Sequence, residues 1–196
     1  TYEIKAPNPE TETYFQFNLE YTDQWTLPSD AYIQMTGEIV KDADGSSIAD
    51  ADKVGFINNG PMFMFSEVTY KIDNQIVERV VNPGEATLIT SLVDYSKDYM
   101  ESMGEQLMIA NDTGDNNTEN TNTGFVKRKA HKEFDLEIPL SHIFGFAKGV
   151  NKALYGVSHT LELTRVADSN ALYRKGDIDT AKIMLSKLSL WMPRVI

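Results

Sequence analysis

Gly55-Phe56-Ile57-Asn58-Asn59-Gly60-Pro61-Met62-Phe63-Met64-Phe65-Ser66-Glu67-Val68-Thr69-Tyr70-Lys71-Ile72-Asp73-Asn74-Gln75-Ile76-Val77 carries the densest structural signal in the chain. Its second half reads as a β-hairpin. Glu67–Ile72 and Gln75–Val80 are rich in β-branched residues, and only Asp73-Asn74 separates them. A two-residue hairpin turn needs positive φ at its centre, which Asp and Asn tolerate. The first half, Phe56 to Phe65, is densely apolar, and Gly60-Pro61 interrupts it. That pattern predicts a short helix or turn, then a buried segment that feeds the hairpin.

Strand periodicity recurs on both sides of this run. In Thr13–Leu19, Phe15, Phe17 and Leu19 alternate with Gln16 and Asn18, the period of a half-buried strand. Ala31–Val40 is a second strand with a bend or bulge expected near Gly37. Downstream, Glu133–Leu140 turns Phe134, Leu136 and Ile138 inward, and His159–Val166 supplies Leu161, Leu163 and Val166. Asp177–Trp191 reads as a closing strand. Between the hairpin and these later strands the period changes. Over Glu85–Met103, Ala86, Ile89, Leu92, Val93, Met100 and Met103 fall on one helical stripe, with Gly104 placed to stop it. Ser141–Phe146 looks like a short helical turn. Residues 111–124 hold no apolar side chain and are expected to form a long polar surface loop. The expected fold is all-β: an eight-stranded antiparallel jelly-roll sandwich with one main helix inserted between strands, residues 1–196 forming a single domain.

Composition removes several classes of function. With 18 Lys and Arg against 29 Asp and Glu, the net charge is −11, which opposes binding to nucleic-acid phosphates. The one basic cluster, Lys127-Arg128-Lys129 with Lys132, is expected to be a solvated strand face or loop. Cysteine is absent, which excludes disulfides, thiolate nucleophiles and zinc–thiolate sites. No stretch approaches the roughly 18–20 apolar residues of a membrane-spanning helix. The acidic segment from Lys41 to Asp52 offers Asp42, Asp44, Asp50 and Asp52, but its spacing is not that of an EF-hand, and a solvated loop is expected.

His131, His142 and His159 lie in three separate elements without metal-ligand spacing, and read as surface or half-buried residues. Ser158-His159 lacks a nucleophile elbow. Asn111-Asp112-Thr113 and Asn116-Asn117-Thr118 are sequons of the kind an Asn/Thr-rich loop produces by chance. No catalytic, cofactor-binding or metal-binding residue is therefore assigned, no cofactor is expected, and the chain is not read as an enzyme.

The opening run resembles the double jelly-roll major capsid proteins of the Polinton/Maverick and virophage-like group and their relatives encoded in animal genomes. There an Asn-Asn element leads into a Phe-rich apolar segment and then a strand–turn–strand. Asn82-Pro83-Gly84 and the helix carrying Leu92-Val93-Asp94-Tyr95-Ser96 are similar to that group's insertion between strands. Leu188-Ser189-Leu190-Trp191-Met192-Pro193-Arg194-Val195 is similar to the end of its first jelly roll. The resemblance covers roughly Thr13 to Val195 and implies no catalytic residue. It implies a capsid protein of a virion or virus-like particle, assembling with itself into homotrimeric, pseudo-hexameric capsomers that meet neighbouring capsomers and minor or penton proteins. Such proteins carry two rolls, and one is present here. A genuine single-roll chain would suggest a penton-like or minor capsid role. Candidate contact surfaces would be hydrophobes that a monomer does not need; Met62–Phe65 is weighed for that role, but core is the expected reading of the run. The alternative reading is a lectin-like or cytokine-like jelly-roll binding module, for which Trp25 beside Asp23 and Gln24 is the one plausible patch.

Overall fold

The computed structural model describes residues 1–20, 23–49, 52–113, 122–175 and 181–195. In chain order the elements are β1 (Tyr2–Lys5), β2 (Tyr14–Leu19), β3 (Trp25–Thr26), β4 (Tyr32–Lys41), β5 (Lys53–Phe56), α1 (Gly60–Phe63), β6 (Phe65–Ile72) and β7 (Gln75–Val81). There follow α2 (Pro83–Asp94), α3 (Lys97–Met103), α4 (Thr123–Ala130), β8 (Glu133–Pro139), α5 (Leu140–Ile143) and α6 (Gly145–Gly149). The chain then runs through β9 (Leu154–Tyr155), β10 (His159–Arg165), β11 (Leu172–Lys175), β12 (Ala181–Met192) and β13 (Arg194–Val195).

Two four-stranded sheets form the body, in the orders β1-β12-β4-β8 and β2-β10-β6-β7. Every ladder in them is antiparallel. Numbering only these eight strands along the chain, the first sheet reads 1-8-3-6 and the second 2-7-4-5. Sequential strands thus alternate between sheets except at the 4–5 hairpin, the pattern of two interlocked Greek keys, so the fold is jelly-roll-like. Two smaller sheets, β11-β5 and β13-β3-β9, sit beside it, and several short helices interrupt the strands.

Alternation explains the packing. Phe15, Phe17 and Leu19 of β2, Leu161 and Leu163 of β10, and Val68 and Tyr70 of β6 are buried on the inner face of one sheet. Ile33 and Met35 of β4, Phe134, Leu136 and Ile138 of β8, and Leu188 and Leu190 of β12 are buried in the same core from the other. Each such side chain contributes about 1.5–3 kcal/mol on burial. The hairpin closes as its residues predict: Asp73 and Asn74 take φ of 47° and 64°.

The structure departs from the sequence reading at several places. β1 completes the first sheet as an edge strand, and its four half-buried to exposed residues give little periodicity to read. The irregularity expected near Gly37 lies on the facing strand, where the register of β12 shifts between Leu185 and Lys187. At Gly37 β12 leaves no room for a side chain, since a Cβ there would stand 2.3 Å from the Met184 carbonyl oxygen. The closing strand is described from Ala181; residues 177–180 lie outside the described residues.

The single helix expected over Glu85–Met103 is two helices. Tyr95 is extended (φ −89°, ψ 129°), and Ser96 starts α3 by accepting a hydrogen bond from the Tyr99 N–H at 3.3 Å. The polar 111–124 segment also ends earlier than expected, because Asn122 accepts from the Phe125 N–H at 3.0 Å and α4 begins at Thr123. Its residues 114–121 lie outside the described residues.

Candidate functional site

The side chains that sequence reading weighed for chemistry are mostly structural. Arg128 is the sharpest case. Instead of facing solvent on a strand or loop, it stands on α4, 2% exposed. Its guanidinium donates to the carbonyl oxygens of Phe56 (3.1 Å) and Ala110 (3.3 Å), to Asn58 Oδ1 (3.1 Å) and to Asp112 Oδ1 (2.8 Å). The planar fork meets four oxygens at once, which is the geometry that lets a buried Arg persist.

His142 and His159 are buried, not half-exposed. His159 lies between Thr26 Oγ1 (2.7 Å) and the Tyr70 hydroxyl (2.8 Å), and His142 Nδ1 meets the Tyr95 hydroxyl at 2.8 Å. Desolvation pushes both imidazoles down to about 4, so they are neutral at pH 7. His131 is a surface residue 3.2 Å from Glu105. The three histidines thus serve three different neighbourhoods. Ser158 turns away from His159 and donates from its backbone N–H (2.8 Å) and hydroxyl (3.2 Å) to Asp73 Oδ1. No nucleophile–base pair forms from these two residues.

In the acidic segment, Asp44 accepts from the Ser46 N–H at 3.0 Å and Asp52 from the Ala49 N–H at 2.8 Å. Asp42 is 3.9 Å from Lys182, and Asp50 lies outside the described residues. Among the described residues no group of three or more His, Asp or Glu is arranged to hold a metal ion.

Trp25 lies 5.0 Å from Tyr155, ring to ring, on the small β13-β3-β9 sheet, and both are about half exposed. The Met62–Phe65 run belongs to the interior: Met62, Met64 and Phe65 are buried, and Phe63 packs against the core. It is not a contact surface.

What remains distinctive is the outside of the sandwich. On the outer face of the second sheet Lys71 pairs with Glu162 at 2.6 Å, Arg79 with Glu67, and Gln16 donates to Glu162. Arg79 holds the Glu67 carboxyl below its ordinary range. On the first sheet Lys187 pairs with Glu3 at 2.6 Å and donates to Gln34, which also accepts from the Trp191 indole at 3.0 Å. Trp191 stacks on Tyr32, 6.1 Å between rings. These pairs neutralise part of the charge on each face, which lowers the desolvation penalty there when another flat surface covers them.

A second surface is apolar. Ile89, Leu92 and Val93 of α2 are 64%, 68% and 78% exposed, whereas the helix seats itself through Pro83, Gly84, Thr87 and Ser91. The sequence pattern shows that α2 has an apolar stripe without showing which way it faces. The readable signal was the other stripe, small residues at Gly84, Thr87 and Ser91.

Residues 54–196 match the double jelly roll-like domain family. The chain belongs to that family. Solved structures agree in fold. A chain of the Sputnik virophage cryo-EM structure superposes with a TM-score of 0.64 at 12% identity, covering 97% of this chain and 46% of that one. The mavirus major capsid protein gives 0.59 at 12% identity, covering 100% and 46%. The capsid of the virus PBCV-1 gives 0.54 at 11%, covering 97% and 41%. The chain therefore spans less than half the length of each of these solved structures. No curated protein matches it significantly.

Proposed function

We propose that this chain is a structural capsid protein: a non-catalytic jelly-roll unit, residues 1–196, that assembles with copies of itself into the capsomers of a virion or virus-like shell. The observation that carries the reading is the 1-8-3-6 and 2-7-4-5 strand order in a member of the double jelly roll-like domain family. The eight principal strands make one roll, and the chain's share of the capsid proteins it resembles, 41% to 46%, fits one roll of two. Three double-roll copies would then form a pseudo-hexameric capsomer, in contact with neighbouring capsomers and with minor or penton proteins.

Physical features of the surface favour assembly. Standing sheets with internally paired charges present flat faces to like faces, and symmetric self-association is the usual outcome for such units. The net charge of −11 argues against direct nucleic-acid contact by this unit.

The test is the assembly state of the full coding sequence, followed by light scattering and negative-stain electron microscopy. Trimers or closed shells are expected. A monodisperse monomer that forms neither would overturn the reading.

A further inference from the structure

We propose that His159 is a pH-sensitive latch that holds the small β13-β3-β9 sheet, with its half-exposed Trp25 and Tyr155, against the sandwich. The inference goes beyond the capsid reading and does not depend on it.

The small sheet is thinly attached. Each of its two ladders holds two residue pairs: Arg194 with Thr26 and Val195 with Trp25, then Trp25 with Tyr155 and Thr26 with Leu154. Of its six residues only Thr26 is buried. Thr26 reaches His159, the first residue of β10, which is fully buried where Leu19 of β2 and Ile72 of β6 are its ladder partners. The sheet's one buried side chain is therefore bonded to a titratable group.

The hydrogen bonds at this point run in one direction. Thr26 Oγ1 donates its single proton to the Leu154 carbonyl oxygen (3.3 Å), so it accepts from His159 Nε2–H (2.7 Å). Nδ1 is then the acceptor, and takes the Tyr70 hydroxyl proton at 2.8 Å. The opposite polarity would leave the proton of the buried Tyr70 hydroxyl with no acceptor among the described residues. The relay runs Tyr70, His159, Thr26, Leu154, from β6 through β10 to β3 and β9, and it requires a neutral imidazole.

Protonation breaks the relay at Tyr70. The new N–H on Nδ1 points at the Tyr70 O–H, which must turn away. The Phe144 and Phe146 rings, 5.6 and 5.8 Å from the Tyr70 ring, offer that proton no lone pair. Asp73, in the β6–β7 turn, is the one charged group that acts on His159 among the described residues. Its pull toward the cation is weaker than the opposing effect of burial, and its carboxylate already accepts from the Ser158 N–H and hydroxyl. Leu19, Thr26 and Leu154, the neighbours on β2, β3 and β9, carry no charge. A cationic His159 thus needs water. The shallowest route to water passes under a sheet that buries one residue, so acid lifts this sheet while the two four-stranded sheets stay paired.

The experiment follows Trp25 emission against pH, with far-UV circular dichroism reporting the sandwich. Trp191→Phe is the background, since it leaves Trp25 as the sole tryptophan. A one-proton change in emission is expected between about pH 6.5 and about 4, at constant circular dichroism. His159→Gln keeps an acceptor and a donor but cannot titrate, and should abolish the change. Tyr70→Phe removes the proton that opposes a charged Nδ1, and should raise the midpoint by about 0.5–1 pH unit. His142→Phe should leave the change in place. Emission that moves only together with the circular dichroism overturns the latch, as does an unaltered change in His159→Gln or its loss in His142→Phe. Should His159→Gln not fold, Tyr70→Phe decides alone: a midpoint that stays or falls overturns the proposal.

Discussion

Arg128 Nη1 donates to Asn58 Oδ1 at 3.1 Å, tying α4 to the segment between β5 and α1 across 70 residues of sequence. The same Asn58 amide bonds Ala110 twice, from Nδ2 to the carbonyl oxygen (3.0 Å) and through Oδ1 from the N–H (2.9 Å). One guanidinium and one amide therefore hold both sides of the polar 111–124 segment, at Ala110 and Asp112 before it and at Arg128 after it. Arg128→Met would take the guanidinium from the Phe56 carbonyl oxygen and the Asp112 carboxylate, and leave the Ala110 carbonyl oxygen with the Asn58 amide alone. A loss of about 2–3 kcal/mol is expected in urea unfolding, because the Asp112 carboxylate left behind is partly exposed to water. The neighbouring exposed Lys127→Met should change stability by less than about 0.5 kcal/mol. Equal effects from the two substitutions would remove Arg128 from this role.

That contrast shows where the sequence was legible. β2, β8 and β10 each bury every second residue, so their composition alternates visibly, and Asp73-Asn74 can do little but turn. Arg128 was unreadable because two of its four partners are backbone carbonyls, which leave no trace in composition, and its Lys neighbours suggest solvent. Ile89, Leu92 and Val93 misled for another reason. Periodicity reports that apolar residues share a face, whereas the direction of that face depends on Phe63 and Asn59 receiving Gly84 and Thr87 on the opposite side. The burial of His142 and His159 is likewise a property of what closes over them.

Acid should destabilise the fold through those two histidines. Their folded values are near 4, against about 6.5 in an unfolded chain. Between these limits the unfolded state binds more protons, so stability rises with pH there. The contribution is complete above about pH 6.5 and is lost as pH falls toward 4, at up to about 3 kcal/mol for each residue. His142→Phe removes one titrating group and also the buried Nε2 that has no hydrogen-bond partner among the described residues. Urea unfolding at a series of pH values should show the slope in this window reduced by one proton in the variant. At neutral pH the loss of the Tyr95 partner should cost about 1 kcal/mol. An unchanged slope would show that His142 does not titrate between the two states.

The β6–β7 turn separates two effects at adjacent positions. Asp73 and Asn74 both hold positive φ, but only the Asp73 carboxylate is bonded across the molecule, to Ser158. Asn74→Gly should be neutral or stabilise by up to about 0.5 kcal/mol, since Gly adopts the same conformation without strain. Asp73→Ala should cost about 1–2 kcal/mol through lost hydrogen bonds and a disfavoured φ. Thermal unfolding of the pair checks this, and the reverse order would contradict the turn geometry.

The seat of α2 depends on the absence of a single methyl group. A Cβ at Gly84 would stand 2.4 Å from Phe63 Cγ and 2.6 and 2.7 Å from its two Cδ atoms. These atoms belong to the base of a ring that packs against the core, so the ring cannot swing clear as the tip of a long side chain would. Helix propensity favours Gly84→Ala by about 1 kcal/mol, whereas overpacking costs typically 1–3 kcal/mol. The substitution is therefore expected to destabilise by about 1–2 kcal/mol, against the propensity scale. Phe63→Leu alone should also destabilise, through lost packing. In the double variant the smaller side chain makes room for the methyl, so the two losses should fall short of additivity by about 1 kcal/mol or more. Strict additivity in a double-mutant cycle would mean that Gly84 and Phe63 are not in contact. The outward direction of Ile89, Leu92 and Val93 would then lack the seat that sets it.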